Sequence, residues 1–184
     1  MKSKIYRANI DFIDNLLQSP AVTAREISKV RGDFLLRPGQ TERYCYLVLS
    51  GALRVFFTTE TEEHTVRLAY EGSILTSLTS FLRRVPSEFS VQALRKCRLL
   101  AVSHRDFMAF AHADADNLRG YCKLLEQLIT QQIERENDLL HSSPAERYRL
   151  VQERSPRLFQ EIPAKYIAAY LRMTPETLSR ISKS

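Results

Sequence analysis

Apolar and polar positions follow three different rhythms along the chain. Residues 3–18 place Ile5, Ile10, Ile13, Leu16 and Leu17 at helical spacing, which predicts a short amphipathic helix that Pro20 ends. From about residue 24 to residue 102 the rhythm becomes short runs of β-branched and aromatic residues between turn signals. Strands are predicted at 26–30, 34–37, 44–49, 52–58, 64–70, 89–94 and 98–103. The breaks are Arg31-Gly32-Asp33, Pro38-Gly39-Gln40, Ser50-Gly51, Glu60-Thr61-Glu62 and Glu71-Gly72-Ser73. Seven or eight strands so spaced predict an antiparallel sandwich or jelly roll. Gly51 joins two of them as a hairpin, since glycine reaches backbone angles that cost other residues energy. Residues 73–88, polar and rich in serine and threonine, read as a crossing loop with one helical turn.

The helical period returns from Arg105. Its longest stretch is 114–141, where Leu118, Tyr121, Leu125, Leu128 and Leu139 step by threes and fours through Gln132 and Arg135. This is a heptad-like seam with polar interruptions. Either the chain's own β portion or a second copy could cover it. A small β domain seldom covers so long a helix, which favours a dimer interface through Leu118, Tyr121, Leu125, Leu128, Gln132 and Leu139. His141-Ser142-Ser143-Pro144 then marks a hinge, with Ser142 or Ser143 as N-cap and Pro144 at the first helical position. Helix 144–154 follows, then a short helix to about Gln160.

The last block predicts two more helices. The first, 163–171, turns Ile167, Ala168 and Leu171 inward; Arg172-Met173 form the turn. The second is capped by Thr174 and opens on Pro175, with Glu176 at its positive end. Leu178 and Ile181 face the core, while Thr174, Glu176, Thr177, Ser179, Arg180 and Lys183 line the opposite face. This is the pattern of a helix-turn-helix, whose second helix can offer short polar side chains and an arginine to base edges in a major groove.

Charge points the same way. Lys plus Arg is 27 against 21 Asp plus Glu, a net +6. Residues 142–184 hold eight basic residues against four acidic ones, so +4 of the +6 lies in the last quarter of the chain. Cys45, Cys97 and Cys122 are too few and too widely spaced for a disulfide framework or a CxxC metal site. His64, His104, His112 and His141 form no HxxxH or HExxH pair. No metal and no cofactor are therefore expected, and no nucleophile–base–orienter set points to an enzyme. No run approaches the ~20 apolar residues of a membrane span. Asp11, Asp14 and Asn15 interrupt what would be a signal-peptide core, and a cytoplasmic protein is expected.

Several of these motifs resemble the Crp–Fnr family of bacterial transcription regulators, most of all its short members of Bacteroidetes type. Arg31-Gly32-Asp33 and Arg37-Pro38-Gly39-Gln40 match the family's early β turns. The run from Leu47 through Gly51 to Val55 matches its glycine-centred hairpin. Glu71-Gly72-Ser73 opens the stretch that corresponds to its phosphate-binding cassette, and Tyr166 to Ile181 matches its helix-turn-helix. The resemblance spans nearly the whole chain. It implies an α+β fold: an antiparallel β-roll of the cyclic-nucleotide-binding type with an N-terminal helix over 1–113, a dimerisation helix over 114–141, and a helix-turn-helix DNA-binding domain over 142–184. It also implies a homodimer on a palindromic double-stranded DNA operator, contact with RNA polymerase, and base-reading roles for Glu176 and Arg180.

Two departures bear on function. Ligand-binding members carry a Gly-Glu pair and then Arg-Ser or Arg-Thr in the cassette, the arginine neutralising the cyclic phosphate. Here the aligned pairs are Thr76-Ser77 and Ser87-Glu88, which removes the charge-assisted contact a buried phosphate needs. Cyclic AMP is therefore not the expected effector. Arg83 and Arg84 lie nearby and could serve another anion, so an effector pocket, its ligand unknown, is placed at Gly72, Thr76, Ser77, Arg83, Arg84, Ser87 and Glu88. Hydroxyls of this stretch, Thr79 and Ser80 among them, also suit turn and cap chemistry. The second departure is Arg172, where the family's turn usually has glycine; a left-handed backbone there costs about 1 kcal/mol. The sequence also ends three residues after Ile181, so the expected head lacks a full β wing. The alternative reading is a small-molecule sensor whose degenerate helix-turn-helix no longer reads DNA specifically.

Overall fold

The computed structural model describes residues 10–183, with side chains from Asp11 onward; the predicted positions before Ile10 lie outside the described residues. The opening helix, α1, is Ile10–Gln18. Eight strands follow: β1 Ala24–Lys29, β2 Phe34–Leu36, β3 Tyr44–Ser50, β4 Ala52–Thr58, β5 Glu63–Tyr70, β6 Ile74–Leu75, β7 Ser90–Ala93 and β8 Cys97–Ser103. They form two four-stranded antiparallel sheets, ordered β1-β8-β3-β6 and β2-β7-β4-β5. Each predicted strand has its counterpart.

The region read as a loop holds more structure than expected. Ile74 and Leu75 pair with Leu47 and Tyr46 as β6, while Leu78–Arg83, α2, is the helical turn expected there. The pairing was not legible because a two-residue strand has no period. Its backbone bonds come from the long neighbour β3.

The two sheets face each other over a core of Leu36, Tyr46, Val48, Leu53, Val55, Leu75, Val91 and Leu99. Alternation along β4 decides what lies outside: Leu53 and Val55 point into this core, while Ala52 belongs to a second cluster shared with the C-terminal helices. Gly51 makes the β3–β4 turn at φ +95°, and a Cβ there would collide with the Lys96 carbonyl and lie 2.8 Å from Cys97 Cα.

Six helices complete the described residues: α3 His104–Ala111, α4 Ala115–Leu140, α5 Pro144–Arg154, α6 Leu158–Glu161, α7 Ala164–Tyr170 and α8 Pro175–Ile181. Asp114 caps α4 by accepting from the Asn117 amide, and Ser143 caps α5 by accepting from the Glu146 amide. The first turns of α4 lie on α1 and α3. Phe12, Phe107 and Tyr121 meet there, and Gly120 makes room, since a Cβ at that position would stand 2.8 Å from the Phe12 ring. The C-terminal helices bury Val151, Leu158, Ile162, Ile167, Ala168, Leu171 and Leu178 against Ala52, Leu68, Tyr70 and Leu94, so they rest on the outer face of the β2-β7-β4-β5 sheet. The result is a mixed α+β fold with an antiparallel core, a long α4 and a cluster of C-terminal helices. None of the described helices is long and apolar enough to cross a membrane.

Candidate nucleic-acid interface and effector pocket

The α7–α8 pair owes its shape to local backbone chemistry. The Arg172 amide donates to the Ala169 carbonyl at 3.2 Å and the Met173 amide to the Ala168 carbonyl at 3.0 Å, the two bonds of a Schellman turn. Arg172 accordingly takes φ +52°, the left-handed region where a glycine would be unstrained. Thr174 then caps α8, its Oγ1 accepting from the Thr177 amide at 3.2 Å, and Pro175 follows in the first turn. Leu178 anchors the helix in the core. The opposite face presents Thr174, Glu176, Ser179, Arg180 and Lys183 to solvent, with Thr177 half-buried beside them. Pro175, Glu176, Ser179, Arg180 and Lys183 line one shallow, open depression. The Glu176 carboxyl is held below the usual carboxylate range by the amide and the Thr174 hydroxyl at the helix start.

A residue that the sequence did not single out fixes this pair to the rest of the chain. Arg147, on α5 and 9% exposed, donates to four carbonyls. Nε reaches Leu171 O at 2.9 Å and Nη2 reaches Arg172 O at 3.2 Å; Nη1 reaches His141 O at 2.6 Å and Ser142 O at 3.1 Å. One guanidinium thus joins the α4–α5 hinge to the α7–α8 turn. Nothing in the local sequence marks it, because its partners lie on both sides of it and up to 25 residues away.

The structure also redistributes the basic charge. Of the eight basic residues in 142–184, Arg147 is buried on carbonyls, Arg149 pairs with Glu146 and Glu153, Arg154 pairs with Asp138, and Arg157 faces Glu161 and Glu71. At least half of the expected positive surface is therefore engaged within the fold. Lys183 and Arg180 stand on the exposed face of α8, and Lys165 lies over the Tyr166 ring.

The cassette residues are brought together, but largely onto one another. Ser77 and Ser87, which stand where the resemblance places the family's Gly-Glu and Arg-Ser pairs, are both buried and share a 2.8 Å hydrogen bond. Thr76 donates to the Tyr44 carbonyl at 3.0 Å. Arg84, at φ +57°, caps α2 and turns its Nη1 onto the Glu42 carbonyl. Gly72 makes a tight turn at φ +83°, and Arg83 and Glu88 face solvent.

Beneath this cluster lies Glu42, 1% exposed, which sequence reading also missed. Its Oε1 accepts from the Arg43 and Tyr44 amides at 2.9 and 3.1 Å and from the Tyr46 hydroxyl at 3.4 Å, while Oε2 is buried without a partner. Burial outweighs these donors and the nearby Ser77 amide, so the carboxyl holds its proton above the ordinary glutamate range.

Along α4 the predicted seam and the open face differ by part of a turn. Tyr121 is buried on Phe12 and Phe107, and Leu125 and Leu128 pack on the same cluster. Leu139 is half-buried, and only Leu118 and Gln132 of the six expected residues are exposed. The apolar residues left open are Leu118, Ile129, Ile133 and Leu140, at 42, 60, 53 and 78% exposure. Exposed Cys122 stands among them, four residues after Leu118. Ile129 and Ile133, an i,i+4 pair, were visible in the sequence. What was not visible was that α1 and α3 cover the Tyr121 side.

Residues 26–114 match the cyclic nucleotide-binding domain. Among curated proteins none matches the chain in sequence. Solved structures resemble it over most of its length. FixK2 from Bradyrhizobium japonicum aligns with a TM-score of 0.73 at 19% identity, over 88% of this chain and 83% of that one. CLP of Xanthomonas campestris, described as a c-di-GMP responsive global regulator, aligns with a TM-score of 0.62 at 13% identity, over 95% and 89%. The catabolite activator protein of Thermus thermophilus aligns at 0.54 and 20% identity, over 96% and 85%. At these identities the likeness is one of fold.

Proposed function

We propose that the protein is a sequence-specific DNA-binding transcription regulator that acts as a homodimer. The observation that carries this reading is the single exposed polar face of α8, where Glu176, Ser179, Arg180 and Lys183 stand together above a buried Leu178. Residues 142–184 act as the DNA-binding domain, α7 and α8 as its helix-turn-helix, and α8 enters the major groove. Short polar side chains and Arg180 suit base edges and phosphates there. A global regulator and a catabolite activator share the fold, which supports a regulatory role.

The dimer forms along α4 (114–141) through the open stripe of Leu118, Cys122, Ile129, Ile133 and Leu140. Twofold-related α8 helices then address half-sites of a palindromic operator about 34 Å apart. Residues 1–113 are the scaffold or sensor. Cyclic AMP is not its effector: Ser77 and Ser87 satisfy each other, and Arg84 is committed to a carbonyl.

The test is selection of a binding site from random duplex DNA, followed by fluorescence anisotropy. A palindromic site bound at least 100-fold more tightly than random DNA is expected, with Arg180→Ala losing about 1–3 kcal/mol of binding energy. Binding indifferent to sequence, equal in wild type and variant, sinks the reading and leaves a sensor whose helix pair no longer reads DNA.

A further inference from the structure

A cavity of about 80 Å³ lies where β5, the second half of α4, the end of α5 and the end of α7 meet. Its walls include Arg67, Gln131, Arg135, Arg154 and Tyr170. Three guanidinium groups meet on this partly open recess, so their partners decide what it can hold. Arg154 is matched: it pairs with Asp138 and faces Glu134 at 3.7 Å. Arg67 donates to the Gln131 side chain at 3.3 Å. Arg135 is the mismatched one. Its Nη2 donates to the Thr65 carbonyl at 3.1 Å and its guanidinium lies 4.8 Å from the Tyr170 ring centroid, yet its Nε is buried without an acceptor.

Both carboxylates nearby, Asp138 and Glu134, face Arg154. Burial outweighs the help of Tyr170 and Asp138, and with Arg172 adding repulsion it makes the Arg135 cation harder to hold than an ordinary arginine. An oxyanion supplies what is missing, an acceptor for the buried Nε–H and further negative charge beside the guanidinium. The volume suits such an ion or a few waters.

We propose that this cavity binds a small oxyanion, inorganic phosphate or the phosphate of a monoester, which ties β5, α4 and α7 together. The site lies apart from the cassette and from the exposed face of α8. Its existence does not depend on DNA binding.

Calorimetric titration and thermal unfolding of the full chain test it, with inorganic phosphate, sulfate or glucose 6-phosphate exchanged for chloride at constant ionic strength. Saturable binding is expected, with the melting temperature rising by roughly 5–10 °C at a hundred times Kd. Arg135→Gln should weaken binding at least tenfold. If that variant fails to fold, Arg67→Gln at the cavity wall should weaken it at least threefold. Tighter binding of inorganic phosphate than of the sugar phosphate identifies a free ion as the occupant, and the reverse order identifies a monoester. Sulfate and phosphate also stabilise proteins in general by exclusion from the surface. A rise that is linear, unsaturated and equal in wild type and variants overturns the proposal.

Discussion

Replacing Arg147 by methionine keeps most of the side-chain stem and removes five N–H donors from a buried position. Four carbonyl oxygens then lose a charged donor at once. A hydrogen bond to a charged group is worth about 1.5–3 kcal/mol, and a buried acceptor left bare costs about 1–3 kcal/mol. His141, Ser142 and Arg172 are exposed residues, so water can replace much of what their carbonyls lose; Leu171 is buried, and its carbonyl stays bare. The sum is about 3 kcal/mol, felt in the C-terminal helices rather than in the β-roll. Urea denaturation followed by circular dichroism gives the total. Hydrogen exchange at the Arg172, Met173 and Leu178 amides gives its location, with protection there falling roughly a hundredfold. Lysine should not rescue, because one ammonium cannot span the hinge and the turn as a planar fork does. A loss under about 1 kcal/mol with unchanged exchange at those amides would refute the clamp.

Two further outcomes are expected. Ile129→Glu combined with Ile133→Glu should leave the fold intact, since both side chains are mostly exposed, and should convert a dimer to a monomer in sedimentation equilibrium; a variant that stays dimeric moves the interface off this stripe. For Glu42 the folded carboxyl keeps its proton to higher pH than the unfolded one, so its contribution is full below the ordinary glutamate value and is lost as pH rises through the folded value. Glu42→Gln should match wild-type melting near pH 4 and exceed it by about 1 kcal/mol or more at pH 8. A difference that does not grow with pH contradicts this.

Much of the fold could be read from the chain because its signals were local. The Gly51 turn, the caps at Asp114, Ser143 and Thr174, and the change from period two to period three–four all act over a few residues. They place strands and helices within one or two positions of where they lie. β6 escaped because its partner, not its own sequence, makes it a strand. The division of α4 into covered and open faces escaped for a related reason. Periodicity shows that Tyr121 and Leu128 want cover, and so do Ile129 and Ile133, but which face the chain itself covers depends on Phe12 and Phe107 arriving from elsewhere. Arg147 and Glu42 were silent for the same cause: each is an ordinary charged residue until distant backbone groups converge on it. On α8 the face itself could be anticipated, since Leu178 against Glu176, Ser179 and Arg180 is a local pattern.

The reach of Arg147 has a kinematic meaning. A three-residue connection at 141–143 would ordinarily work as a slack joint, absorbing any twist at the end of α4. With one rigid planar group gripping His141 and Ser142 on one side and Leu171 and Arg172 on the other, the joint loses that slack. A rotation of the last turn of α4 is delivered to the α7–α8 elbow much as a crank drives its shaft.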